Sequence, residues 1–81
     1  MKIDILLFGP QAQLAGAERV PLTLGDSATV SDALAQLGQA VPALAATLDA
    51  SRLAVNHDYA VPGDVLAEGD EVALIGMVSG G

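Results

Sequence analysis

A single amphipathic helix between two groups of short strand-like segments is the feature that most constrains this fold. Apolar residues recur at helical spacing at Val30, Ala33, Leu34, Leu37 and Val41. Thr29 is followed three residues later by Asp32, as in a capping box. The main helix is therefore predicted over about residues 30–40. Pro42 is compatible with a further helical turn that contains Leu44, Ala45 and Leu48.

The segments on either side of the helix carry the pattern of β-strands. In the first, Ile3, Ile5 and Leu7 form one apolar face. Gly9 and Pro10 end it, and a short helical turn is predicted over residues 11–15. The predicted strands span residues 2–8, 19–24, 53–56, 59–61 and 71–75.

The order of these elements predicts an α+β, β-grasp fold. A mixed sheet of four to five strands would be covered on one face by the main helix. With 81 residues, the chain supports one domain. We place that domain at residues 1–75 and a flexible, glycine-rich tail at residues 76–81. So small a domain has little room for an enclosed active site beside its core, which favours a carrier, a binding module or a subunit of a larger enzyme.

Composition excludes several classes of function. A net charge of −7 repels phosphate backbones, which argues against nucleic-acid binding, and it disfavours anionic membranes. The same charge is compatible with a partner that offers a basic face. The absence of cysteine excludes a catalytic thiol and cysteine-ligated zinc. No apolar run approaches the roughly 20 residues needed to span a bilayer, and no signal peptide is apparent, so a cytoplasmic location is expected.

Two groups of side chains outside the tail could carry chemistry, and neither is favoured. His57 is the only histidine and lies beside Asp58, but it falls in a predicted turn with no nucleophile assigned nearby. The acidic residues of the C-terminal half do not match a calcium-loop spacing, so a solvated face is predicted and no metal site. These residues are Asp58, Asp64, Glu68, Asp70 and Glu71.

The C-terminal tail is the most informative segment. Ser79, Gly80 and Gly81 close the chain soon after the last predicted strand. Because glycine lacks a Cβ, two glycines can thread a narrow channel and bring a terminal carboxylate to a reactive centre. Adenylation would make that carboxylate electrophilic, and attack by sulfur would leave a thiocarboxylate on Gly81. A frayed terminus without function is the alternative.

Several segments together resemble a known family. They are residues 5–9, residues 53–56, residues 66–75 with Gly69, Asp70, Glu71 and Val72, and residues 78–81. In these the chain resembles the small subunits of molybdopterin synthase, the MoaD type of ubiquitin-like sulfur carrier. The resemblance spans nearly the whole length. One departure is that Gly76 and Met77 stand where the family usually has two prolines. Proline would stiffen this exit, whereas Gly76 makes it more mobile.

The resemblance implies a function for the tail. Gly81 would be adenylated by a ubiquitin-activating-like enzyme that uses ATP, and a sulfurtransferase system would convert it to a thiocarboxylate. Two loaded tails would deliver two sulfurs to cyclic pyranopterin monophosphate, which makes the dithiolene of molybdopterin. The catalytic side chains would belong to a large subunit in a heterotetramer, and this chain would bind no cofactor of its own.

The expected partner-binding surface combines the tail with apolar residues near the last strand. Its predicted members are Phe8, Ile75, Met77, Val78, Ser79 and Gly80. Three other functions share the tail: a carrier for thiazole synthesis, a ubiquitin-like modifier of lysines, and an interaction domain with an inert tail. The turn that extends the main helix through Leu48 makes the chain longer than most thiazole carriers, which favours the molybdopterin pathway.

Overall fold

The fold is a five-stranded mixed sheet with helices packed on one face. The computed structural model describes residues 1–76, and residues 77–81 lie outside this description. The strands are β1 (Lys2–Leu6), β2 (Arg19–Thr23), β3 (Ser51–Val55), β4 (Asp58–Tyr59) and β5 (Val72–Gly76). The helices are α1 (Gly9–Ala15), α2 (Val30–Ala40) and α3 (Pro42–Ala45), followed by a 3₁₀ turn at Leu48–Ala50.

The sheet has the strand order β2-β1-β5-β3-β4, which confirms the predicted α+β architecture. β1 pairs with β2 in an antiparallel hairpin and with β5 in a parallel arrangement. β3 is antiparallel to both β5 and β4. The parallel pair places the last strand of the chain in the middle of the sheet.

The core lies between this sheet and the helices. Strand alternation sends every second side chain to the same face, so Ile3 and Ile5 of β1 are buried with Val72 and Leu74 of β5. From the helical side the core receives Val30, Ala33 and Leu37 of α2 and Leu44 of α3. Leucine, valine, isoleucine and alanine fill this core, while the single phenylalanine, Phe8, remains exposed.

The main helix begins where the capping box predicts. Thr29 Oγ1 accepts a hydrogen bond from the main-chain N of Asp32, and Asp32 Oδ2 accepts one from the N of Thr29. The first helix, α1, is longer than the turn predicted at residues 11–15, because it already begins at Gly9. Pro10 is compatible with that start, since a proline in the first turn loses no intrahelical hydrogen bond.

Strand ends differ from the sequence prediction where turns change the direction of the chain. β3 ends at Val55 because Asn56 and His57 both have positive φ, of 52° and 74°. The strand predicted at residues 59–61 instead covers Asp58–Tyr59. Val61 leaves the sheet, and its main-chain N donates to Oδ2 of Asp64 within a turn.

β5 runs one residue further than predicted. The sequence places Gly76 in the tail, whereas the structure pairs it with Ser51 of β3. The sheet therefore continues at least to the residue before Met77. Within residues 1–76, no helix has the length and apolar character that crossing a membrane requires.

Candidate functional site at the exit of the last strand

The chain leaves the described part of the structure from the centre of the sheet. β5 lies between β1 and β3, and Gly76 is its last residue. The two edge strands, β2 and β4, are each two positions away. The described chain therefore ends in the middle of the sheet, beside the first helix, and not at a sheet edge.

An apolar groove, which we call the exit groove, lies at this point. It is open to solvent, has a volume of about 600 Å³ and is formed by the start of α1, the segment after α3 and the end of β5. Its lining includes Phe8, Pro10, Gln11, Ala50, Ile75 and Gly76. An open apolar groove of this kind suits a side chain or an extended segment better than an enclosed small molecule.

One buried polar side chain interrupts the apolar lining. Gln11 is 8% exposed, and its Nε2 donates to Oγ1 of Thr47 at 3.1 Å and to Oγ of Ser51 at 2.8 Å. The hydroxyl of Thr47 donates in turn to the carbonyl of Leu44, and that of Ser51 to the carbonyl of Thr47. This network joins α1 to the turn before β3 and to the first residue of β3, and it forms the polar wall of the exit groove.

A second, smaller concavity lies on the open face of the sheet. It has a volume of about 370 Å³ and shares Phe8 and Ile75 with the exit groove. Its other residues are Leu6, Ala54, His57, Tyr59, Glu71 and Ala73. Phe8 is 56% exposed and Tyr59 58%, so two aromatic rings are available to a partner on this face.

The structure brings together the two predicted partner-binding residues that it describes. Phe8, just before α1, and Ile75, on β5, line both concavities. The other predicted site residues, Met77, Val78, Ser79, Gly80 and Gly81, lie outside the described residues, so their roles stay predictions.

The polar side chains of the C-terminal half have local structural contacts. Nε2 of His57 lies 3.1 Å from Oε2 of Glu71, with both side chains largely in solvent. Asp64 and Asp70 each accept a hydrogen bond from a main-chain N–H three residues earlier. Among residues 1–76, no group of three or more histidines and acidic residues is arranged to hold a metal ion.

The sequence did not identify the polar network around Gln11. Gln11 and Gln13 lie two residues apart on α1, and only Gln11 is buried. Its partners, Thr47 and Ser51, lie 36 and 40 residues further along the chain. Nothing local in the sequence distinguishes these residues from exposed polar ones.

The fold and this exit define a ubiquitin-like β-grasp domain. A crystal structure of SAMP1 from Haloferax volcanii superimposes with a TM-score of 0.87 at 35% identity and covers 100% of both chains. The chain belongs to the ThiS family, whose sequence model matches residues 5–81.

Two relatives match over nearly their full lengths. The molybdopterin synthase sulfur carrier subunit of Chlamydomonas reinhardtii is 40% identical and covers 100% of both chains. Small archaeal modifier protein 1 of Haloferax volcanii is 37% identical, over 93% of this chain and 95% of that protein.

Proposed function

We propose that this chain is the sulfur-carrier subunit of molybdopterin synthase and that the carboxylate of Gly81 is its working group. One observation carries the proposal: a relative of that name is 40% identical over the whole of both chains. The family match also extends through residue 81 and so includes the Gly-Gly tail.

The proposed chemistry takes place at the terminal carboxylate. A carboxylate is a poor electrophile because it is negative and resonance-stabilised. Its attack on the α-phosphate of ATP, on an activating enzyme, gives an acyl adenylate and releases pyrophosphate. A donor that supplies sulfur at the oxidation level of sulfide then attacks the acyl carbon. AMP leaves with one carboxyl oxygen, and the product is a thiocarboxylate.

The sulfur acceptor in this proposal is cyclic pyranopterin monophosphate. Two successive loaded tails supply the two sulfurs of the dithiolene. The large subunit supplies the catalytic side chains, in a heterotetramer of two small and two large subunits. This chain contributes the carried sulfur and the docking surface, and ATP is consumed only on the activating enzyme.

The described structure supports a docking role for the region around the exit groove. The chain leaves β5 beside two open concavities, both lined by Phe8 and Ile75. A partner that binds this apolar surface also contacts the chain at Gly76, where the tail begins. This contact reduces the conformational freedom of the terminal carboxylate before reaction.

Intact-mass analysis of the C-terminus tests the proposal. The chain is incubated with a molybdopterin-pathway activating enzyme, ATP and a sulfide donor, and the modified residue is located by fragmentation. We expect the mass gain of one oxygen replaced by sulfur, located at Gly81. A variant that lacks Gly81 should remain folded and unmodified. The proposal would be contradicted if the full-length chain stayed unmodified while the same enzyme preparation modified the carrier protein that is its normal substrate.

A protein-modifier function is the second candidate, and one observation favours it. Small archaeal modifier protein 1 is 37% identical to this chain over nearly its full length. Adenylation of Gly81 would be shared, but the acyl group would pass to a lysine amine and form an isopeptide bond. Digested cell extracts should then contain lysines that carry the C-terminal remnant, and these remnants should disappear when Gly81 is deleted.

A further inference from the structure

We infer that Gln11 is a positioning residue that fixes the main chain at Gly76, and so sets the direction in which the tail presents its carboxylate. The inference rests on the proposed function, because it concerns delivery of the same carboxylate.

The burial of Gln11 calls for an explanation. It is the one polar or charged residue buried among residues 1–76. Burying an amide costs free energy unless hydrogen bonds replace those lost to water. Leucine or methionine would fill a site beside an apolar groove without this requirement. A glutamine held by two hydroxyl groups therefore indicates that the position of its amide matters.

The hydroxyl protons determine which way the amide faces. The proton of Thr47 Oγ1 is donated to the carbonyl of Leu44 at 2.7 Å, and that of Ser51 Oγ to the carbonyl of Thr47 at 2.7 Å. Both oxygens can therefore only accept from Gln11, so the amide NH₂ must face them. The amide oxygen, Oε1, must then face the opposite way.

That opposite side is the end of β5. A Cβ placed on Gly76 would lie 3.3 Å from Oε1 of Gln11 and 3.9 Å from Nε2. The oxygen is thus the part of the amide nearest to this position. Because Nε2 is held at two points, Oε1 cannot move away freely, and the close approach is accommodated by the absence of a side chain on Gly76.

The sheet register shows that β3 does not hold the main-chain polar groups of Gly76. Asn56 donates from its main-chain N to the carbonyl of Glu71, so these residues form a hydrogen-bonded pair. Hydrogen-bonded and non-hydrogen-bonded pairs alternate along an antiparallel ladder. Ser51 and Gly76 lie five pairs further along, so they are a pair without mutual hydrogen bonds. The N–H and C=O of Gly76 therefore point away from β3.

On the side to which they point, β1 has already ended at Leu6, so neither neighbouring strand holds the main chain of Gly76. The amide of Gln11, held by Thr47 and Ser51, instead packs over Gly76 from the helical face of the sheet. It is the contact that restricts the main chain at the last described residue before the tail. Loss of this held contact should leave the sheet intact and widen the range of directions in which the chain leaves it.

Substitution of Gln11 by methionine tests the inference. Methionine keeps the length and helix propensity of glutamine but cannot hydrogen-bond Thr47 or Ser51, so its side chain is no longer held against Gly76. Gln13→Met is the matched control, because Gln13 is an exposed glutamine on the same helix. Ser51→Ala, which removes one anchor and leaves Gln11 in place, serves as the second variant if Gln11→Met does not fold.

Two readouts separate positioning from stability. The first is ¹⁵N relaxation of the Gly76 amide, and we expect a lower heteronuclear NOE in Gln11→Met than in Gln13→Met. The second is adenylation by the activating enzyme. We expect KM for the carrier to rise by about fivefold, with kcat within about twofold, because a smaller fraction of tails points in the competent direction. Ser51→Ala should change both readouts in the same sense.

The outcomes distinguish this inference from the proposed function. Equal Gly76 relaxation in Gln11→Met and Gln13→Met overturns the inference, as does changed relaxation with unchanged KM. If the wild-type chain is not adenylated, the proposed function fails. The relaxation measurement then still decides whether Gln11 fixes the main chain at Gly76.

Discussion

Asn56 and Asp70 are joined by a hydrogen bond of 3.0 Å from Nδ2 to Oδ1, although 14 residues separate them. The same Asn56 side chain accepts at Oδ1 from the main-chain N of Glu71 at 3.0 Å. Asp70 also accepts at Oδ2 from the main-chain N of Ala67 at 2.8 Å. These bonds fasten the turn after β3 to the residues just before β5, and so fix where the last strand enters the sheet.

Replacing Asp70 with alanine should therefore destabilise the fold. The variant loses two hydrogen bonds to a carboxylate, and we expect the free energy of unfolding to fall by about 1–2 kcal/mol. Urea denaturation followed by circular dichroism measures this change. Glu68→Ala is the matched control, because Glu68 is an exposed acid in the same loop. Equal stability of the two variants would show that the Asn56–Asp70 link contributes nothing.

Replacing His57 with glycine should stabilise the hairpin of β3 and β4. The two-residue loop has positive φ at both Asn56 and His57, which is the pattern of a type I′ turn and favours the sequence Asn-Gly. The contact of His57 with Glu71 is largely solvent-exposed and contributes little. We expect the free energy of unfolding to rise by up to about 1 kcal/mol, as relief of the left-handed strain outweighs the flexibility of glycine in the unfolded chain.

The same variant tests the interpretation of His57 as a structural residue. Loading of Gly81 should be unchanged in His57→Gly, because the His57 side chain is largely in solvent and its contact with Glu71 is local. A variant that is stable but no longer accepts sulfur would show that His57 acts in the reaction or in partner binding. Asn56→Gly is the contrasting control, because it keeps the turn geometry but removes the side-chain bonds to Asp70 and Glu71, and it should lower stability.

The sequence predicts those parts of the fold whose causes are local. The Thr29–Asp32 capping box and the alternation of Ile3 with Ile5 each depend on residues a few positions apart. The packing of Gln11 against Thr47 and Ser51 depends on the assembled fold, because it joins two segments that lie at least 36 residues apart in the sequence. The same holds for the extension of β5 to Gly76, since the pairing with Ser51 decides it and glycine has no strand preference of its own.

Replacing Pro21 with threonine should promote self-association through the outer edge of the sheet. β2 is an edge strand of the sheet. The N of Leu24 donates to the carbonyl of Met1, so these two residues form a hydrogen-bonded pair. Hydrogen-bonded and non-hydrogen-bonded pairs alternate along the β1–β2 ladder, which makes Asp4–Pro21 a pair without mutual hydrogen bonds. The nitrogen of Pro21 therefore faces outward, where it cannot donate to another strand. Pro21→Thr restores an outward donor, and we expect concentration-dependent self-association in analytical ultracentrifugation. Pro62→Thr, in a loop, is the control, and equal sedimentation of both variants would contradict this role.

Replacing Phe8 with alanine should weaken binding of the large subunit more than replacing Leu14, which lies on α1 away from both concavities. Phe8 lines both concavities at the exit of β5, and large aromatic side chains commonly contribute most to an interface. We expect Kd to rise by at least about tenfold in calorimetric titration, which corresponds to a loss of about 1.4 kcal/mol or more. The fold should persist, because the ring is 56% exposed.

Leu14→Ala is the matched control: Leu14 is 51% exposed, lies on α1 and does not line either concavity. If Leu14→Ala weakens binding as much as Phe8→Ala, the partner surface lies across α1 and not at the exit of the last strand.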